Sequence, residues 1–62
     1  MFWIKEYCKH FKLTLEGTRV FLDNDVVATI DYYENIIHFE KTETRCKLSD
    51  VAHAIIENIE LH

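Results

Sequence analysis

The spacing of apolar residues changes twice along this chain, from helical to alternating and back to helical. Residues 2–10 place apolar side chains three and four positions apart, which predicts a short amphipathic helix. Residues 11–39 contain alternating apolar and polar positions and many β-branched and aromatic residues, which is typical of strands. Helical spacing returns in residues 50–60, and Ser49 is the predicted N-cap of that helix.

This order of elements predicts an α+β fold. Sixty-two residues suffice for one small domain, spanning 1–62, and leave no room for a second. Proline is absent and Gly17 is the only glycine, which excludes glycine-rich phosphate loops and flexible linkers. We expect a small two-layer sandwich with a short N-terminal helix, an antiparallel meander of three to five strands, and a C-terminal helix.

The first predicted hairpin surrounds the single glycine. With Glu16 and Gly17 as a two-residue loop, Leu13 lies opposite Val20 and the aliphatic side chains share one face. A bulge at Gly17 is the alternative, and it shifts this register by one residue. The triplet Asp23 to Asp25 is the next predicted turn.

The second predicted hairpin has Glu34 and Asn35 in its loop. This register pairs Ile30 with Phe39 on the core face. On the other face it pairs Asp31 with His38.

Two further elements follow this hairpin. Residues 45–47 are expected to form a charged edge strand with Cys46 pointing inward. The apolar stripe of the last helix is predicted to contain Val51, Ala52, Ile55, Ile56 and Ile59. Three polar residues of this helix, His53, Glu57 and Glu60, are expected to point away from the stripe.

Charge is distributed unevenly along the chain. The net charge is -4, and residues 20–40 hold five acidic residues without a lysine or arginine. Residues 1–19 hold four basic and two acidic residues. No basic stripe is long enough to neutralise many phosphates, which argues against direct nucleic-acid binding. The alternative in its favour is a modest basic edge beside Trp3 and Tyr7, formed by the basic residues of the N-terminal segment together with Arg45 and Lys47.

Residues with catalytic or metal-binding chemistry are present but poorly placed in sequence. Cys8 and His10 form a single short ligand pair, whereas a structural zinc site needs two such pairs. No glycine lies near Cys8 or Cys46 to form an oxyanion hole with His38 as a base. We therefore expect reduced cysteines, no enzyme activity, no metal and no cofactor.

The outer face of the sheet is the predicted partner-binding surface. An apolar centre surrounded by acidic residues on an exposed sheet face is typical of an interaction site. The residues assigned to it are Phe21, Tyr33 and Ile36 at the centre, joined by Val27, and Asp23, Asp25, Asp31, Glu34 and Glu40 around them. In the alternative arrangement, the first helix covers this face with Trp3 and Tyr7.

These features favour a small acidic protein-binding module in the cytoplasm. The expected partner is a larger, basic protein that handles nucleic acid, and the expected role is inhibition or modulation. Inhibitors of CRISPR or restriction nucleases or of polymerases, encoded by phages and mobile elements, share this size and charge. The alternative is a self-associating structural or adaptor protein, with a homodimer as its form. No apolar run is long enough to cross a membrane.

Overall fold

Two helices and five strands make up the part of the chain that the computed structural model describes, residues 2–59. Their bounds are α1 Phe2–His10, β1 Thr14–Glu16, β2 Arg19–Leu22, β3 Asp25–Asp31, β4 Ile36–Phe39, β5 Thr44–Lys47 and α2 Val51–Asn58. Neighbouring strands pair antiparallel in the order β1-β2-β3-β4-β5. The predicted α+β fold is confirmed, as an open five-stranded meander between an N-terminal and a C-terminal helix.

One face of the sheet and both helices enclose the core. The fully buried strand residues Val20, Ala28, Ile37 and Phe39 lie in one cluster with Ile4 and Cys8 of α1 and Val51, Ala54 and Ile55 of α2. Because α1 belongs to this cluster, it covers the aliphatic face of the sheet. The alternative placement of α1 on the outer face is therefore wrong, and no described element covers that outer face.

The first helix ends in a left-handed cap. Lys12 has φ 61°. The backbone N–H of Leu13 donates to the carbonyl of Cys8 at 2.7 Å, and that of Lys12 donates to the carbonyl of Lys9 at 3.0 Å. This pair of bonds is the Schellman pattern, which satisfies the last carbonyls of a helix and brings Leu13 and Cys8 together in the core.

The first hairpin differs from its predicted register by two residues. Leu15 lies opposite Val20, and Glu16 lies opposite Arg19, so the loop is Gly17–Thr18. The predicted partner Leu13 is held by the helix cap instead. A shift of two keeps every side chain on its predicted face, because strand side chains alternate with period two.

The second hairpin is also shifted by two residues. Ile30 lies opposite Ile37 rather than Phe39, and the loop covers the four residues 32–35. Asn35 has φ 57°, a left-handed conformation that asparagine tolerates.

Asp31 explains why this loop is longer than predicted. Its Oδ1 accepts hydrogen bonds from the backbone N–H groups of Tyr33 at 2.9 Å and Glu34 at 3.2 Å. A carboxylate that binds the backbone two residues ahead stabilises a turn in place of strand pairing. The predicted pair of Asp31 with His38 is therefore wrong, and His38 lies opposite Thr29.

A β-bulge in β3 changes the face of one valine. Val20 lies opposite Ala28, but Phe21 lies opposite Val26, so Val27 is the extra residue. Val27 packs against the core, and Val26 is exposed beside Phe21. The placement of Val27 on the outer face is wrong for this reason.

The structure confirms the predicted edge strand with Cys46 pointing inward. Cys46 lies opposite the buried Ile37 and packs against the core, as the inward position requires. β5 is an edge strand, with Arg45 and Lys47 exposed on its other face.

The predictions for the second helix are correct in part. Ser49 lies inside a 3-10 turn, Leu48–Asp50, and α2 begins at Val51 without a side-chain cap, so Ser49 is not the N-cap. The N–H of Leu48 donates to the carbonyl of Asn35 at 2.9 Å, and this bond anchors the turn to the sheet. Ile56 is 61% exposed and therefore lies outside the buried stripe.

Candidate interaction surfaces

The eight predicted binding residues do not form one surface. Because successive strands of a meander reverse direction, the turns after β2 and β4 lie at one end of the sheet and those after β1 and β3 at the other. Asp23, Asp25 and Glu40 belong to the first end. Asp31, Tyr33 and Glu34 belong to the opposite end, while Phe21 and Ile36 lie on the outer face.

One end of the sheet concentrates acidic side chains. The exposed carboxylates of Asp23, Glu40 and Glu43 are in the two turns at this end, together with Lys41, and the exposed Asp25 is the first residue of β3. Phe21 and its partner Val26 adjoin them on the outer face. These six residues, Phe21, Asp23, Asp25, Val26, Glu40 and Glu43, are called the acidic patch below.

The second helix adds to the negative potential of this end. The Thr42 hydroxyl donates to Asn58 Oδ1 at 2.9 Å, so the last turn of α2 lies beside the β4–β5 turn. The C-terminus of a helix carries a partial negative charge, and Glu57 is exposed in the same turn. Glu43 was missing from the sequence-based set, although its position in a polar turn of the predicted meander could have indicated it.

The middle of the outer face carries basic and polar groups. Pairing places Glu16, Arg19, Thr29, His38 and Arg45 in one row across all five strands. A shallow concavity of about 400 Å³ lies around the last three of them, with Asp31 and Ile36. The row thus carries two arginines against one glutamate, whereas the sequence-predicted acidic residues lie toward the two ends of the sheet.

A groove with aromatic walls lies between the two helices. It measures about 570 Å³ and is lined by Trp3, Glu6, Tyr7, His10 and Phe11 from α1 and its C-terminal turn and by Ala52 of α2. The rings of Trp3 and Tyr7 meet edge to face with centroids 5.9 Å apart, and each side chain keeps about two fifths of its surface exposed. The i, i+4 spacing of Trp3 and Tyr7 is the sequence signal of this exposed aromatic stripe.

The thiols do not form a catalytic or metal site. Cys8 and Cys46 are both free, and they lie on the core side of the sheet, whereas His38 lies on the outer face. Within residues 2–59 no three histidine, cysteine or acidic side chains are close enough to share a metal ion. Burial raises the pKa of the Cys8 thiol. Burial also raises the pKa of Tyr32, whose hydroxyl donates to the Gly17 carbonyl at 2.9 Å.

The two thiols should differ in reactivity. Cys8 is 1% exposed and its pKa is raised, so it is protected both by burial and by a low thiolate fraction. Cys46 is half-buried on the edge strand. We expect iodoacetamide to modify Cys46 first, with Cys8 slower by about 100-fold or more, because Cys8 reacts only when the structure opens.

Mass spectrometry of timed alkylation measures this difference. The chain unfolded in urea is the control, since both thiols should then react at similar rates. Equal rates in the folded chain would show that the contact of α1 with the sheet opens readily, contrary to the structure.

Comparison with known proteins gives no relative. No protein-family model, curated protein or solved structure matches the chain. Among the described residues, neither helix has the length and apolar character needed to cross a membrane.

Proposed function

We propose that this chain is a small protein-binding module that docks its acidic patch onto a basic surface of a larger protein. The observation that carries the proposal is the position of Asp23, Asp25, Glu40 and Glu43 at one end of the sheet, beside the half-buried Phe21 and the exposed Val26. An apolar anchor beside four carboxylates and one lysine combines buried area with a net negative charge that complements a basic surface. The function is binding, and it requires no catalytic group.

The proposed partner handles nucleic acid. Proteins that hold nucleic acid have positively charged clefts, and long-range attraction speeds the association of an acidic protein with such a cleft. A protein bound there blocks the nucleic acid, so the proposed role is inhibition or modulation. Arg19 of the row on the outer face is two positions from Phe21 on β2 and borders the patch, whereas α1 and its lysines lie on the other side of the sheet.

Capture from a lysate of the source organism tests the proposal when two matched variants are compared. The patch variant is Asp23→Asn/Asp25→Asn/Glu40→Gln. The control variant is Glu16→Gln/Glu34→Gln/Asp50→Asn, which removes three exposed carboxylates elsewhere. Both variants raise the net charge equally and keep the shape of each side chain.

The patch variant should lose affinity for the captured protein by about 30-fold or more, because each carboxylate that faces a cation contributes roughly 1 kcal/mol. The control variant should bind within about threefold of the wild type. An equal loss of affinity in both variants would mean that only net charge matters. No loss of affinity in either variant would rule out the acidic patch as the binding surface. Circular dichroism of all three proteins verifies that they are folded.

A further inference from the structure

The helical side of the molecule leaves large apolar side chains in water. Trp3 is 41% exposed, Tyr7 is 42% exposed and Ile56 is 61% exposed. Ile56 lies one helical turn beyond Ala52, which lines the groove, and so extends the same face of α2. Exposed aromatic and aliphatic side chains on one face of so small a protein are typical of an interface.

The groove fits a macromolecule better than a small ligand. Ala52 is its only lining residue from α2, so the groove is open along that side. Small-molecule pockets enclose most of the ligand surface, and this groove leaves much of it in water. A helical surface laid across the groove would cover Trp3, Tyr7 and Ile56 together.

The two helices carry opposite charges. α1 has Lys5 and Lys9 against Glu6, all exposed. Residues 48–59 carry the exposed Asp50 and Glu57 and contain no lysine or arginine. Glu6 lines the groove, whereas Lys5 and Lys9 do not, so the lysines complement Asp50 and Glu57 at the margin of this face if α1 of one copy meets α2 of another.

The direction of the helices permits this contact. Trp3 and Tyr7 line one hollow together with residues 49–53, so the first turns of the two helices are neighbours. Both helices begin at the end of the sheet that holds the β1–β2 and β3–β4 turns, and both run toward the acidic patch at the other end. A two-fold axis parallel to them, between α1 and α2, places α1 of one copy against α2 of the other, with the first turns of both helices at the same end.

We propose that the groove binds a second copy of this chain. In this dimer Asp50 of each copy faces Lys5 of the other, and Glu57 faces Lys9. Ile56 of each copy lies against Tyr7 of the other, and each contact occurs twice because the interface is isologous. The proposal goes beyond the binding function above, because it uses the helical face and leaves the acidic patch free.

The dimer is expected to be weak. The molecule measures 29 × 24 × 18 Å, so no face offers more than roughly 700 Å², slightly less than the ~800 Å² per partner of a stable complex. We expect a dissociation constant in the micromolar range. Sedimentation equilibrium of the full chain from about 10 µM to about 1 mM covers that range.

Charge reversal tests the pairing directly. The variants Lys5→Glu/Lys9→Glu and Asp50→Lys/Glu57→Lys change only exposed side chains. Each variant alone should be monomeric, since like charges then meet twice. An equimolar mixture of the two should form a heterodimer, since every pair is again of opposite sign.

Ile56→Ser and Tyr33→Ser form the apolar test and its control. Ile56→Ser should weaken dimerisation by about tenfold or more, whereas replacement of Tyr33, which is 98% exposed in the β3–β4 turn and does not line the groove, should be neutral. A wild type that stays monomeric at about 1 mM, or a mixture that stays monomeric, would overturn the proposal. The patch variant should still dimerise, so the two proposals fail separately.

Discussion

Phe39→Ala should remove more than half of the free energy of unfolding of this chain. Phe39 is fully buried between the sheet and the helices. Removing a buried phenylalanine side chain costs about 3–5 kcal/mol, because apolar contacts are lost and a cavity remains. A domain of this size has a total stability of only about 3–9 kcal/mol, so this one change removes most of it.

Phe21→Ala is the matched control for this prediction. Phe21 is the same residue type, half-buried on the opposite face of the sheet. We expect its replacement to lower the free energy of unfolding by about 1 kcal/mol. Urea denaturation measures both variants, and equal losses would contradict a core enclosed on a single face of the sheet.

The order of the elements could be predicted from the sequence because it depends on local periodicity. Helical spacing predicts α1 at residues 2–10, and the structure has it there. The inward position of Cys46 also follows from alternation along β5. These features require no knowledge of how the elements pack against each other.

The strand registers could not be predicted from the sequence. Alternation determines which face of the sheet each side chain occupies, but a register shifted by two residues gives the same faces. The observed pairings depend on the cap at Lys12 and on the Asp31 carboxylate, which binds two backbone N–H groups. The hydrophobic pattern does not indicate these hydrogen bonds. The bulge at Val27 likewise arises from strand pairing.

The sequence could predict which residue types the candidate surfaces contain, but it could not predict where those residues lie in the fold. Five acidic residues in 20–40 were visible in the sequence, but the reversal of strand direction divides them between two ends. Glu43 joins one end from outside that segment. The exposure of Tyr7 and Ile56 depends on where α1 and α2 lie on the sheet, which periodicity alone does not specify.

Nucleic acid should displace this protein completely from its partner, and this is the second large effect that we expect. A cleft that holds a polyanion cannot hold the acidic patch at the same time, because both require the same cations. Rising salt concentration should weaken partner binding by the wild type more steeply than binding by the patch variant, because the variant has three fewer carboxylates that attract the basic surface.

The most direct measurement is therefore a competition assay by fluorescence anisotropy. Labelled protein is bound to the captured partner, and that partner's own nucleic acid is added in increasing amounts. The acidic-patch account predicts that anisotropy falls to the value of the free protein. A ternary complex that retains the label at saturating nucleic acid, with unchanged affinity, would contradict it.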